Sequence, residues 1–130
     1  MCGFCGFIDL NNSKNPNSIA IMKSMNDAIN HRGPDDEGFF IDHDYQIYLA
    51  HKRLSILDLS SSGVQPFHSY SDRFVIIFNG EIYNYQELKE RITEINWKST
   101  TDTEVLVEHI EKFGLDDTLN KIDGMYSFVL

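Results

Sequence analysis

The sequence predicts an α+β fold built on antiparallel sheets, and three observations carry that expectation. Short apolar runs with strand character and amphipathic helical runs are mixed along the chain, without the regular strand–helix alternation of a doubly wound parallel sheet. Neighbouring strand-like runs are joined by short polar turns, as Phe39–Ile41 and Gln46–Leu49 are through Asp42–Asp44. No internal repeat, low-complexity tract or linker divides the 130 residues, a length suited to one domain or a piece of one.

The elements follow in order. Residues 2–10 (CGFCGFIDL) read as a strand that starts almost at the first residue, and 11–16 as a polar loop. Residues 18–30 read as a helix, because Ile19, Met22, Met25 and Ile29 recur at near-helical spacing and Asn17 or Ser18 can cap it. The stretch 31–38 (HRGPDDEG) reads as a loop, since Gly33 and Pro34 interrupt both regular structures. After the paired strands at 39–49, a further strand is expected over 53–57. Residues 74–78 (FVIIF) form a buried strand, which the turn-forming pair Asn79-Gly80 is expected to halt. Two amphipathic helices follow: 84–95, with Leu88, Ile92 and Ile95 on one side, and 103–113, capped by Thr101 or Asp102 and stopped by Gly114. Residues 125–130 read as a last strand that runs to the end of the sequence, an incomplete C-terminus for a domain.

Bulk properties exclude several classes of function. Eleven basic against 20 acidic side chains give a net charge of −9, which repels phosphate backbones and anionic membranes, so neither nucleic acid nor membrane is expected as a partner. The apolar runs fall far short of the ~20 residues that cross a bilayer. No basic segment precedes an apolar one at the N-terminus, and the two cysteines lack a disulfide framework, which together point to a cytoplasmic setting. The five histidines have no metal-ligand spacing, and no metal site is expected.

Chemistry is most legible at Cys2. Removal of the initiator methionine would leave a thiol and a free α-amine on one residue, and an α-amine with a reference pKa of about 7.7–8.0 is a usable base near neutrality. That supplies a nucleophile and its general base without a histidine. Cys2 could instead be a small buried residue. Cys2 and Cys5 also make a C-x-x-C, but positions i and i+3 of a strand face opposite ways and lie ~10 Å apart, too far for a disulfide. Cys5 is read as a core residue. Asn79-Gly80 is an ordinary turn pair or, alternatively, an amide side chain and a backbone N–H able to point two donors at one oxygen. Arg53, in an apolar stretch, is a solvated edge residue or a planar fork for a carboxylate. Asp102 is most simply a helix N-cap, and otherwise a counter-charge for an ammonium group.

Taken together and in sequence order, MCGFCGF, HRGPDDEG, HKRLSILDL, FNGEIYN, TDTEV and IDGMYSF resemble the glutaminase domain of glutamine-hydrolysing asparagine synthetases, class II glutamine amidotransferases among the N-terminal-nucleophile hydrolases. The resemblance covers residues 1–130 and implies a four-layer αββα sandwich of antiparallel sheets. It implies Cys2 as nucleophile, with Asn79 and Gly80 as the oxyanion hole. It implies Arg53 for the glutamine α-carboxylate, with Leu54 and Ile56 or Leu57 giving backbone contacts, and Glu81 with Asp102 for the α-ammonium. The expected reaction is hydrolysis of L-glutamine to glutamate and ammonia through a Cys2 thioester, with no cofactor in these residues. ATP and Mg²⁺ would belong to a C-terminal synthetase domain that activates aspartate, and a homodimer is a candidate assembly. Other members of the wider family deliver ammonia to other carboxylates, and a silent glutaminase-like module is the remaining alternative. HRGPDDEG is left without a chemical role, and Cys5 stands where such sequences usually carry Ala.

Overall fold

A computed structural model describes residues 2–10, 15–55 and 61–130. The first sheet consists of β1 (Gly3–Ile8), β2 (Asp36–Asp42) and β3 (Ile47–Arg53), with β3 between the other two and both pairings antiparallel. The tight link between β2 and β3 is held by Asp42, whose Oδ1 accepts from the backbone N–H groups of Asp44 and Tyr45 at 2.9 Å each. The second sheet consists of β4 (Phe67–His68), β5 (Val75–Ile82) and β6 (Gly124–Val129), again antiparallel, with β5 in the centre. Helix α1 (Ser18–Ala28) packs on the first sheet, and α2 (Tyr85–Glu90) and α3 (Asp102–Phe113) lie against the second, with α4 (Leu115–Leu119) on the far end of α3. The two sheets meet through β1, β3 and β5. The layers are therefore helix, sheet, sheet, helix, as the resemblance implies.

The period of two in a strand sorts β3 between two environments. Tyr48 and Ala50 join Met22 of α1 in one core, flanked by Cys5, Phe7 and Ile41, and Phe7 stacks on Tyr48 with ring centroids 4.9 Å apart. The intervening Leu49, His51 and Arg53 consequently face the second sheet. Glu37 fastens the helix side of the first sheet, accepting from Lys52 Nζ at 2.6 Å and Asn26 Nδ2 at 3.0 Å. A second core lies between the other sheet and its helices, from Ile76, Phe78, Ile82, Leu88, Val105, Leu106 and Ile110. Burying each such side chain is worth roughly 1.5–3 kcal/mol, enough to override the weak helix propensity of Val105, Val107 and Ile110.

The start of α3 is fixed by side chains. Thr101 is the N-cap, accepting from Glu104 N–H at 3.3 Å, and the Glu104 carboxylate reaches back to the N–H groups of Ser99 (2.7 Å) and Lys98 (2.8 Å). Gly114 stops the helix as expected, with φ 87° and its N–H on the Ile110 carbonyl.

Several expectations need correction. Asn79-Gly80 does not end the strand: β5 runs through both, because β6 pairs with them (Asn79 with Ser127, Gly80 with Tyr126) and tertiary pairing outweighs turn propensity. Arg53 does not begin a strand of its own but closes β3, while Ile56 and Leu57 lie outside the described residues. The helix expected over 84–95 is confined to Tyr85–Glu90, since β-branched Ile92, Thr93 and Ile95 are poor continuations. The helix expected over 18–30 ends at Ala28 and passes into a 3₁₀ turn at Asn30–Arg32. HRGPDDEG is only partly a loop, because β2 already begins at Asp36. The short β4 and α4 were unanticipated, being too brief for a periodic signal.

Candidate functional site

The site is built on an edge of β5. One edge of this strand is paired with β6 from Ile77 to Ile82, but on the other β4 reaches only Val75 and Ile76. Beyond that point the backbone ladder on this edge stops, and side chains take over. Phe78 N–H donates to Gln65 Oε1 at 2.6 Å, His51 Nε2 donates to the Phe78 carbonyl at 3.1 Å, and Ile82 N–H donates to Asp102 Oδ2 at 2.9 Å. Backbone groups two residues apart point off the same edge, so the N–H of Gly80 is aimed the same way, between these two anchored residues. Glycine is required there: a Cβ would lie 2.3 Å from the Met125 carbonyl and 2.6 Å from Tyr126 Cα.

Cys2 precedes β1 and is brought to the end of β3 by the register Gly3 with Lys52. Its Sγ accepts from Leu54 N–H at 3.4 Å and donates to the Leu54 carbonyl at 3.6 Å. Its own carbonyl accepts from Arg32 Nε at 3.3 Å. Arg32 belongs to HRGPDDEG, whose structural task is now apparent. Asp35 donates its N–H to the Arg53 carbonyl (3.0 Å) and accepts Ser55 N–H on its carboxylate (2.9 Å). The segment is a bracket that holds Cys2, Arg53 and Ser55 together.

A cavity of about 110 Å³ opens where these elements meet. Of the residues predicted from sequence, Cys2, Arg53, Leu54, Asn79, Gly80, Glu81 and Asp102 all line it. Residues 53 and 54 come from the end of β3, 79–81 from β5 and 102 from the first turn of α3. Gly63, Gln65, Phe78, Thr101, Thr103 and Met125 also line it and were missed. A Cβ on Gly63 would sit 2.5 Å from Arg53 Nη2, so this glycine lets the guanidinium lie where it does. Gln65, next to a proline, carried the one available signal, a polar side chain where a strand ladder must stop. Arg53 and Asp102 are 6% and 5% exposed, so charge there is strongly felt. Burial raises the Asp102 pKa above the ordinary carboxylate value, opposed by the amides of Ile82, Thr103 and Asp102 itself and assisted by nearby Glu81. Asn79 Oδ1 is buried with no hydrogen-bond partner among the described residues.

Both cysteines are free thiols, and they serve different surroundings: Cys2 lines the cavity, whereas Cys5 packs beside the α1 core, where burial pushes its thiol pKa up. Among the described residues no group of three or more His, Cys, Asp or Glu is arranged to hold a metal ion, and no helix is long and apolar enough to cross a membrane. The arrangement presents a thiol, a strand edge with converging N–H donors, and a cation and an anion held apart.

A family model described as a glutamine amidotransferase domain matches residues 1–130. Over its whole length the chain is 42% identical to asparagine synthetase (glutamine-hydrolyzing) 2 of Bacillus subtilis (strain 168), of which it spans 17%. It is 40% identical to a putative asparagine synthetase (glutamine-hydrolyzing) 2 of Methanocaldococcus jannaschii, spanning 27%, and 33% identical to asparagine synthetase (glutamine-hydrolyzing) 1 of Arabidopsis thaliana, spanning 21%. The chain thus spans between a sixth and just over a quarter of the length of these relatives.

Proposed function

The chain belongs to the glutamine amidotransferase domain family, and from that premise we propose that it hydrolyses L-glutamine to glutamate and ammonia with Cys2 as nucleophile. The observation that carries this reading is the convergence of Cys2, Arg53, Asn79, Gly80 and Asp102, from four separate parts of the chain, on one cavity.

Glutamine enters with its α-carboxylate on the Arg53 guanidinium and its α-ammonium on Asp102 and Glu81, which leaves the side-chain amide at Cys2 Sγ. With the initiator methionine removed, the α-amine of Cys2 takes the thiol proton as sulfur attacks the amide carbon. The carbonyl oxygen gathers negative charge, stabilised by Asn79 Nδ2 and Gly80 N–H; one such donor is worth about 10²–10³ in rate. The α-amine returns its proton to nitrogen, the C–N bond breaks and ammonia leaves, with the γ-glutamyl group as a thioester on Cys2. Water, deprotonated by the same amine, adds to the thioester and releases glutamate and the thiol. The buried acceptor Asn79 Oδ1 offers the α-amine a partner, which would fix the amide with its Nδ2 toward the substrate.

Incubation of the protein with glutamine, followed by glutamate and ammonia release, tests this directly. Intact mass must show loss of the methionine, and a thiol-reactive glutamine analogue must label Cys2. Cys2→Ala is expected to abolish turnover while leaving the fold intact; retained turnover would falsify the assignment. For the ammonia, the relatives' names favour formation of asparagine, and the reading we propose is an aspartate activated with ATP and Mg²⁺ in a synthetase domain of a longer, cytoplasmic protein. Asparagine formation by that longer protein, dependent on Cys2 with glutamine but not with free ammonia, is the corresponding test.

A further inference from the structure

His51 is fully buried (0% exposed) at the centre of β3, between the two sheets, and it is no part of the chemistry just described. A carbonyl oxygen can only accept, so the 3.1 Å contact to Phe78 requires the imidazole proton to sit on Nε2. Nδ1 is then a bare acceptor, and it has no partner among the described residues. A neutral imidazole committed through one nitrogen is an expensive choice for a position that an aliphatic side chain could fill. Its single hydrogen bond must do something that packing cannot.

What it does follows from where Phe78 lies. Phe78 is one residue before Asn79 and two before Gly80, on the strand edge that β4 has stopped pairing. Its N–H is held by Gln65 and its carbonyl by His51, and Gln65 in turn donates Nε2–H to Thr103 Oγ1 at 3.2 Å. One residue of β5 is thereby tied on both sides, its preceding peptide to α3 through Gln65 and its following peptide, shared with Asn79, to the first sheet through His51. Cys2 and Arg53 belong to the first sheet's side of the cavity, Asn79 and Gly80 to the second's. His51 is the hydrogen bond that crosses between them immediately behind the cavity.

We propose that His51 is a positioning residue, which locks the Phe78–Asn79 peptide against β3 through its carbonyl and so sets the distance of the Asn79 and Gly80 donors from the Cys2 sulfur. The proposal rests on the glutaminase reading for its kinetic consequence, though not for its structural one. Misplacing catalytic groups by about 1 Å can cost about 10² in rate. Glutamine's α-groups are held elsewhere, by Arg53 and Asp102, so the effect falls on kcat rather than KM.

The test compares wild type, His51→Leu and His51→Gln. Gln can present an N–H donor to the Phe78 carbonyl, and Leu cannot. Expected are a kcat about 10²-fold lower in H51L with KM for glutamine nearly unchanged, recovery of most of that loss in H51Q, and faster hydrogen exchange of the Phe78 amide in H51L alone. An H51L kcat equal to wild type, a loss expressed through KM, or no recovery in H51Q would overturn it. Nitrogen NMR of the wild-type protein decides the matter even if H51L fails to fold: a proton on Nδ1 instead of Nε2 sinks the proposal. Wild type that does not hydrolyse glutamine, yet shows the Nε2 proton and the Phe78 exchange pattern, would refute the glutaminase reading and leave the positioning role standing.

Discussion

At the scale of single residues, the site depends on how closely groups may approach. Arg53 is aimed by what is missing beside it: Gly63 leaves open the space its guanidinium occupies, and a Cβ there would also press within 2.8 Å of Thr101 Cγ2. Gly63→Ala is therefore expected to displace the fork proposed to grip the glutamine α-carboxylate. Its KM for glutamine should rise at least about tenfold, equivalent to about 1.4 kcal/mol, while kcat stays near wild type and the circular dichroism spectrum is unchanged. A KM equal to wild type would mean that Arg53 does not hold substrate in this orientation.

At the scale of elements, the site is only as rigid as the first turn of α3. Asp102 is the first residue of that helix, and its carboxylate also caps the free edge of β5 at Ile82. The turn is held by Thr101, through its bond to Glu104 N–H and a 2.9 Å contact with Ser99 Oγ. Thr101→Ala removes both. The expected cost is about 1 kcal/mol of folding stability, read from the midpoint of urea unfolding at constant slope. Asp102 would be less firmly placed, so KM should rise together with the stability loss, whereas Thr101→Ser should restore both. A fall in stability without any change in KM would show that the cap serves the helix and not the site.

For the whole molecule, two buried ionisable groups in different layers set opposing pH dependences. Burial lowers the His51 pKa from 6.5 to about 4, with Arg53 acting the same way, while the Phe78 carbonyl and Asp36 oppose. The unfolded chain therefore protonates first as pH falls, and stability is lost from pH 6.5 down to about 4. Glu108, on α3, accepts Tyr70 N–H at 2.7 Å and is 4% exposed. Burial raises its pKa from 4.5 to about 7, with Glu111 and Glu104 adding to the rise and the Tyr70 amide and Lys98 opposing it. Its contribution is fully present below pH 4.5 and disappears as pH rises through about 7. The windows overlap, so wild-type stability should change little between about pH 4.5 and 6.5 on account of this pair. Removing one group uncovers the other. Glu108→Gln should become steeply less stable as pH falls through that range, and His51→Gln should become more stable. Thermal unfolding of both variants at several pH values checks the pair, and parallel slopes in the two would contradict it.

The sequence by itself determined the chemistry on offer and the class of fold. The net charge argued against nucleic acid and anionic membranes as partners, and the strand and helix periods predicted an antiparallel α+β fold. Cys2, Arg53, Asn79, Gly80, Glu81 and Asp102 could be named together because the motifs that carry them resemble one family in sequence order, although each alone has an ordinary structural reading. What local patterns could not carry was pairing across the chain. Asn79-Gly80 is a turn by propensity, and only β6, which lies more than 40 residues further on, turns it into the middle of a strand. His51, Gln65 and Gly63 gave almost no signal, since a buried imidazole, an amide beside a proline and a glycine in a loop become meaningful only when β5, β3 and α3 are set side by side. Propensity acts over a few residues, whereas the positions of donors around the cavity are fixed by contacts between layers. Tertiary structure alone decided those positions.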